Sequence, residues 1–179
     1  MKTLEQQLSQ YAAYHRDRRN IATHFVGIPM IVVAAAALLA RPAFAVVGGV
    51  PLSPSLFVTA ATVLFYLALD LRFGLVMGVL MSASWWAGAS LAAHSTALWL
   101  AGGLGLFAAG WAIQFIGHAF EGRKPAFVDD LVGLLIGPLF IVAEAGFALG
   151  LRKSLYEAIE AKVGPTLIRR RGENARAAG

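Results

Sequence analysis

The chain has 179 residues, 58% of them hydrophobic and only 14% charged, with a mean hydropathy of +0.67. That balance is too apolar for an ordinary soluble domain and reads as an integral membrane protein. The net charge of +5 does not point to nucleic acid, because the basic residues flank apolar runs and form no aromatic-interleaved platform. The absence of cysteine excludes disulfides, thiolate metal sites, iron–sulfur clusters and a cysteine nucleophile. A metal here must be held by histidine, carboxylate or water.

Residues 3–19 place Leu4, Leu8, Tyr11 and His15 at helical spacing, which predicts an amphipathic helix lying at a membrane interface. The first twenty residues have no apolar h-region, so no cleaved secretory signal is expected and the first span does the targeting. Spans are predicted at about 21–40, 56–69, 72–92 and 97–117. The Pro- and Gly-rich run RPAFAVVGGVPLSPS separates the first two, and HST separates the last two. Gly74, Gly78, Ser82 and Ser84 suit close helix approach in the third span. Whether Trp85, Trp86, Trp99 and Trp111 are interfacial or packed is left open.

The polar stretch HAFEGRKPAFVDD precedes a fifth apolar segment, 131–150, which Gly133, Gly137 and Pro138 interrupt and which carries Glu144. A simple crossing there would put the basic tail on the non-cytoplasmic side, so a broken or re-entrant segment is preferred. The tail from Leu151 holds seven of the fifteen Lys and Arg residues, Arg169, Arg170 and Arg171 among them, and suits a cytoplasmic, anionic-lipid-facing end. The expected fold class is therefore all-α, an integral membrane helical bundle of four to five spans with an N-terminal interfacial helix. Residues 1–151 would form one membrane-embedded catalytic domain and 152–179 a basic cytoplasmic tail.

Counting crossings from a cytoplasmic N-terminus puts His15, His24 and His118 on one face and His94 on the other. His15 and His24 are nine residues apart, about 180° on a straight helix, so the chain must bend between them to bring both to one ion. Arg19 and Asn20 are a candidate bend, with Asn20 capping the first span. Imidazoles with open positions suit iron(II), manganese or zinc, and Gln114, Glu121, Asp129, Asp130, Glu144 and Asn20 are the available supporting partners. Taken singly, each histidine is more often a hydrogen-bonded interface residue than a ligand, and Arg16, Arg18 and Arg19 read most simply as positive-inside anchors. Glu144 is harder to set aside, because a carboxylate within an apolar segment is costly.

Two blocks, YHRDRRNIATHFVGIPM and QFIGHAFEGRKPAFVDDL, followed by GPLFIVAE, resemble a membrane family once known as a domain of unknown function and later described as 2-hydroxy fatty acid dioxygenases. The resemblance runs in order from about residue 5 to 151. It implies an iron(II)-dependent enzyme that takes a long-chain 2-hydroxy fatty acid and O2 and returns a fatty acid one carbon shorter, the chemistry of α-oxidation. It carries His15, His24 and His118 over as iron ligands. It places Asn20 and Glu121 in the same motifs, and these two with Glu144 are the expected catalytic residues. Arg16, Arg19, Arg123 and Lys124 are the expected substrate-binding residues, offsetting the acid's charge. The substrate would supply the electrons and the leaving carboxyl, so 2-oxoglutarate is not required.

The acid's tail would lie in the bilayer and its carboxylate at the interface, which gives a reason to put a titratable cluster where the first span begins. A bacterial inner membrane with the site at the cytoplasmic face is expected, or the endoplasmic reticulum in a eukaryote. The sequence does not fix the oligomeric state. Two other classes compete: a haem-binding membrane electron carrier, and a non-enzymatic scaffold or small transporter in which Asp70, Arg72 and Glu144 form buried pairs.

Overall fold

The computed structural model describes residues 2–168. Arg169, Arg170 and Arg171 of the basic tail lie outside the described residues. The described chain is mostly helical and divides into two compact units: Gly27–Trp111 is one, and the segments before and after it together form the other. Seven α-helices and one two-stranded hairpin are present among the described residues.

The split unit begins with α1 (Leu4–Ala12). Its start is fixed by a capping box, in which Thr3 Oγ1 accepts from the Gln6 N–H and Gln6 Oε1 accepts from the Thr3 N–H. The amphipathic stripe is real, but the protein itself covers it: Leu4, Leu8, Tyr11 and Ala12 are buried, and α1 packs on α6 (Gly133–Ala148) and α7 (Lys153–Val163). The helix ends at Ala12, earlier than the spacing predicts, and the chain turns before α2 (Arg18–Leu38). Asp17, rather than Asn20, caps α2. Its Oδ1 accepts from the Arg19 N–H at 2.9 Å, and its carbonyl accepts from the Ile21 N–H at 3.1 Å. The bend that the two histidines require therefore lies in residues 13–17, and Asn20 sits inside the first turn of α2.

In the Gly27–Trp111 unit, the Pro/Gly-rich connection forms a hairpin of β1 (Ala45–Val47) and β2 (Val50–Leu52), paired antiparallel with Val47 opposite Val50. Gly48 and Gly49 both have positive φ, which a two-residue hairpin turn requires and glycine supplies without strain. Helices α3 (Pro54–Leu69) and α4 (Leu71–Ala92) pack against each other. Asp70 caps α4 by accepting from the Phe73 N–H, which accounts for a carboxylate in this apolar stretch. Trp99 donates from Nε1 to the Ala37 carbonyl at 2.8 Å and so packs internally, whereas Trp86 is exposed.

Helix α5 (Thr96–Glu121) runs one turn past its predicted end, so His118 and Glu121 are helical. After the short 3-10 turn Ala126–Val128, α6 continues unbroken through Gly137 and Pro138. The break falls later, where a Schellman motif ends α6: the Leu151 N–H donates to the Gly146 carbonyl and the Gly150 N–H to the Phe147 carbonyl, with Gly150 at φ 76°. Helix α7 then departs at 114°. Part of the expected tail is thus folded, with Leu155 and Ile159 buried and α7 packed on α1. Beyond it, Leu167 exchanges backbone hydrogen bonds with Arg16 and Arg18.

By length and composition, α2, α4 and α5 are long and apolar enough to cross a membrane, and the bent α6–α7 pair passes the same test if taken as one span. Helix α3, at 16 residues, is shorter. Within the Gly27–Trp111 unit, Gly88 is a point of contact between helix backbones. A Cβ there would lie 2.6 Å from the Ala37 nitrogen and 2.7 Å from the Ala36 carbonyl carbon. Gly88→Val is expected to cost about 3 kcal/mol through overpacking, read as a lowered thermal midpoint in detergent.

Candidate metal centre

The split unit gathers His15 from the bend before α2, His24 from the second turn of α2, and His118 from the last turns of α5. All three are buried, and one ring nitrogen from each lies within 4.8 Å of the others. Ring centroids are 4.5 Å apart for His15–His24, 5.0 Å for His15–His118 and 5.2 Å for His24–His118. Among the described residues this is the one group of three or more potential ligands. His94 is exposed in the turn after α4, in the other unit.

The hydrogen bonds fix the tautomers of the first two rings. His15 Nδ1 lies 2.7 Å from the Tyr11 carbonyl and His24 Nδ1 lies 2.8 Å from the Asn20 carbonyl. A carbonyl only accepts, so both Nδ1 atoms carry the proton. In the neutral rings both Nε2 atoms then present lone pairs, and they stand 3.0 Å apart. Two like-polarised atoms at that distance call for a cation. Two donors at right angles around an ion about 2.1 Å away are about 3.0 Å from each other, so the donor set fits a divalent metal with further positions open. Burial, with His24 alongside, holds the His15 imidazole well below its ordinary pKa, which keeps it neutral and able to ligate.

Packing holds the rings in place. Tyr11 stacks on His15 at 4.2 Å and 4°, and Phe140 of α6 lies against both rings. The bend itself is held by Glu121, which is fully buried. Its Oε2 accepts from the Arg16 N–H at 2.9 Å, the Asp17 N–H at 2.7 Å and Asn20 Nδ2 at 3.2 Å. Asn20 in turn orients His24 through its carbonyl. Glu121 and Asn20 thus act on the loop that presents the histidines. Gly117 lets α5 come this close, since a Cβ there would collide with Thr23 Oγ1 and Asn20 Oδ1.

The four basic residues expected at the substrate each have a partner within the protein. Buried Arg16 donates to the carbonyls of Ala12, His15 and Gly164, and its Nη2 lies 3.8 Å from Glu144 Oε1. Burial lowers its pKa, and Glu144 leads the carboxylates that oppose the shift. Arg19 grips Asp17 with two side-chain hydrogen bonds and lies over the Phe120 ring. Arg123 donates to the Ala13 carbonyl, and Lys124 pairs with Asp129. Lys124, and after it the Tyr14 hydroxyl, hold the Asp129 carboxyl below its usual range. Glu144 is half-buried beside an open cleft of about 340 Å³, lined also by Ile21, Phe147 and Tyr156.

Sequence reasoning placed Tyr11 only on the amphipathic stripe and gave Asp17 and Phe140 no role. Tyr11 lies four residues before His15, which is a readable signal for stacking. The role of Phe140 depends on a contact between distant segments and left none. Replacing Glu121 by alanine strands two buried backbone N–H groups, and a loss of about 3 kcal/mol is expected, with Glu121→Gln milder because it keeps an acceptor oxygen. Chemical unfolding in detergent micelles would measure both.

The family model described as 2-hydroxy-palmitic acid dioxygenase Mpo1-like matches residues 1–149, which include all three clustered histidines. The 2-hydroxy-palmitic acid dioxygenase MPO1 of Saccharomyces cerevisiae is 35% identical over 163 residues, covering 88% of this chain and 87% of the yeast protein. No solved structure matches. With a family match across most of its length, and a relative similar over nearly the whole of both proteins, the chain belongs to the Mpo1-like family of 2-hydroxy-palmitic acid dioxygenases.

Proposed function

We propose that this chain is an iron(II)-dependent dioxygenase that removes C1 from long-chain 2-hydroxy fatty acids in a membrane. The observation that carries the reading is the buried convergence of His15, His24 and His118 in a member of this family. The relative's printed activity supplies the substrate class. The reaction balances without a co-substrate: the 2-hydroxy acid and O2 give the shortened acid, carbon dioxide and water. The substrate's C2 and C1 supply all four electrons, so 2-oxoglutarate has no part.

His15, His24 and His118 would hold the iron, which supplies oxygen activation and a centre for the acid's oxygens. The chain's own groups do the rest. The Tyr11 and Asn20 carbonyls accept from Nδ1 of His15 and His24 and so leave Nε2 of each ring free to bind a metal. Tyr11 and Phe140 exclude water from one side of His15. Glu121 keeps the 13–17 bend in register, and Arg16, tied to Glu144, places a fixed positive charge beside His15 to offset the substrate's carboxylate. Arg123 adds positive charge at the mouth, while Arg19 and Lys124 are offset by Asp17 and Asp129, and Glu144 faces Arg16.

In this reading α2, α3, α4 and α5 cross the bilayer, an even number that returns His118 to the side of His15 and His24, and the histidines sit at its edge, on the cytoplasmic face of a bacterial inner membrane or at the endoplasmic reticulum of a eukaryote. Protein purified anaerobically in detergent is expected to carry stoichiometric iron, to consume O2 on addition of 2-hydroxypalmitate and to yield a product one carbon shorter. His15→Ala, His24→Ala and His118→Ala are each expected to lose iron and turnover together. Iron content and turnover left intact in all three variants would overturn the proposal.

A further inference from the structure

An acid headgroup needs polar partners of its own, and the four basic residues nearest the histidines are already engaged within the protein, Arg16 keeping only its buried Nη2 without a hydrogen bond. One other side chain in the split unit has neither of its polar atoms paired. Gln114 is 4% exposed, and both its Oε1 and its Nε2 are buried with no hydrogen-bond partner among the described residues. Leaving both ends of a buried amide unpaired is costly, and a group kept so is held for something that binds there.

Its position says what. On the α5 helical wheel, Gln114 falls between Gly117 and His118, at about 60° from the first and 40° from the second, and about 20° from Glu121. Gly117 meets Asn20 and Thr23, His118 meets His15 and His24, and Glu121 holds Asn20. Gln114 therefore occupies the middle of the α5 stripe that faces the histidines, one turn from His118.

We propose that Gln114 binds the headgroup of the 2-hydroxy acid, its Nε2 donating to the carboxylate and its Oε1 accepting from the 2-hydroxyl. The fit is chemical: the headgroup offers one acceptor and one donor on adjacent carbons, and a glutamine amide offers the complementary pair. An acid without the hydroxyl leaves Oε1 unpaired, and a site built to bond a hydroxyl discriminates strongly against an analogue that lacks it. Gln114 thereby becomes a determinant of the preference for 2-hydroxylated over unsubstituted acids. The inference rests on the substrate class proposed above.

The test is equilibrium binding of 2-hydroxypalmitate and of palmitate to iron-loaded protein in detergent, under anaerobic conditions so that neither is turned over. Wild type is expected to prefer the hydroxy acid. Gln114→Leu, close in size but unable to hydrogen-bond, is expected to keep its iron and to lower that preference at least tenfold, mainly by weakening 2-hydroxypalmitate. Gln114→Glu provides a second variant should the leucine protein fail to fold: it keeps the shape, removes the donor, and should weaken both acids by charge repulsion. Variants that hold iron and bind both acids as wild type does overturn the role of Gln114 alone. Wild-type protein that binds iron but neither acid overturns the substrate class, and this inference with it.

Discussion

The bend that presents His15 to the cluster is held by one carboxylate oxygen. Glu121 Oε2 receives two consecutive backbone N–H groups and the Asn20 amide, all within the interior. A turn between two helices normally leaves such donors to water; here they are gathered by a carboxylate delivered from α5, more than a hundred residues later in the chain. The bond to a charged acceptor is stronger than one between neutral groups, and burial sharpens it. That anchor holds the bend that carries His15 and the side chain of Asn20, while the Tyr11 and Asn20 carbonyls direct the two rings. A residue outside the histidine triad thus sets the course of the chain that carries His15 into it.

The rest of the split unit reinforces the same small region from other sides. Leu167 extends the backbone pairing to Arg16 and Arg18, and Arg16 reaches the Gly164 carbonyl, so the end of the described chain braces the bend. Phe140 closes it from α6 and Tyr11 from α1. The basic side chains that the sequence suggests as a ready clamp for an acid are used in this bracing. The one polar side chain on the histidine stripe left with both ends unpaired is an uncharged amide.

Much of this was legible in the sequence because hydropathy and parity are long-range signals. Apolar runs located the long helices to within a few residues, and counting crossings brought His15, His24 and His118 to one side while setting His94 apart. What escaped was local competition among similar residues. Asp17 and Asn20 are both good caps, and Asp17 prevailed because Asn20 is drawn to Glu121, a contact that no spacing rule contains. Gly137 and Pro138 looked like the break in the last apolar segment, yet the helix tolerates them and ends at Gly150, where positive φ permits a Schellman turn. The stripe of α1 was correctly read as amphipathic, but periodicity does not say whether lipid or protein covers it.

The order in which the ligands occur along the chain has a thermodynamic consequence. His15 and His24 precede the whole Gly27–Trp111 unit and His118 follows it, so an ion bound by all three would close a loop containing that entire unit. A metal in that position is a cross-link as much as a reagent. Its binding free energy adds to the free energy of folding, because the unfolded chain cannot keep such distant donors together. Occupancy of the site and the integrity of the fold would then rise and fall together, and chelation would be felt as loosening of the protein well before it was noticed as lost chemistry.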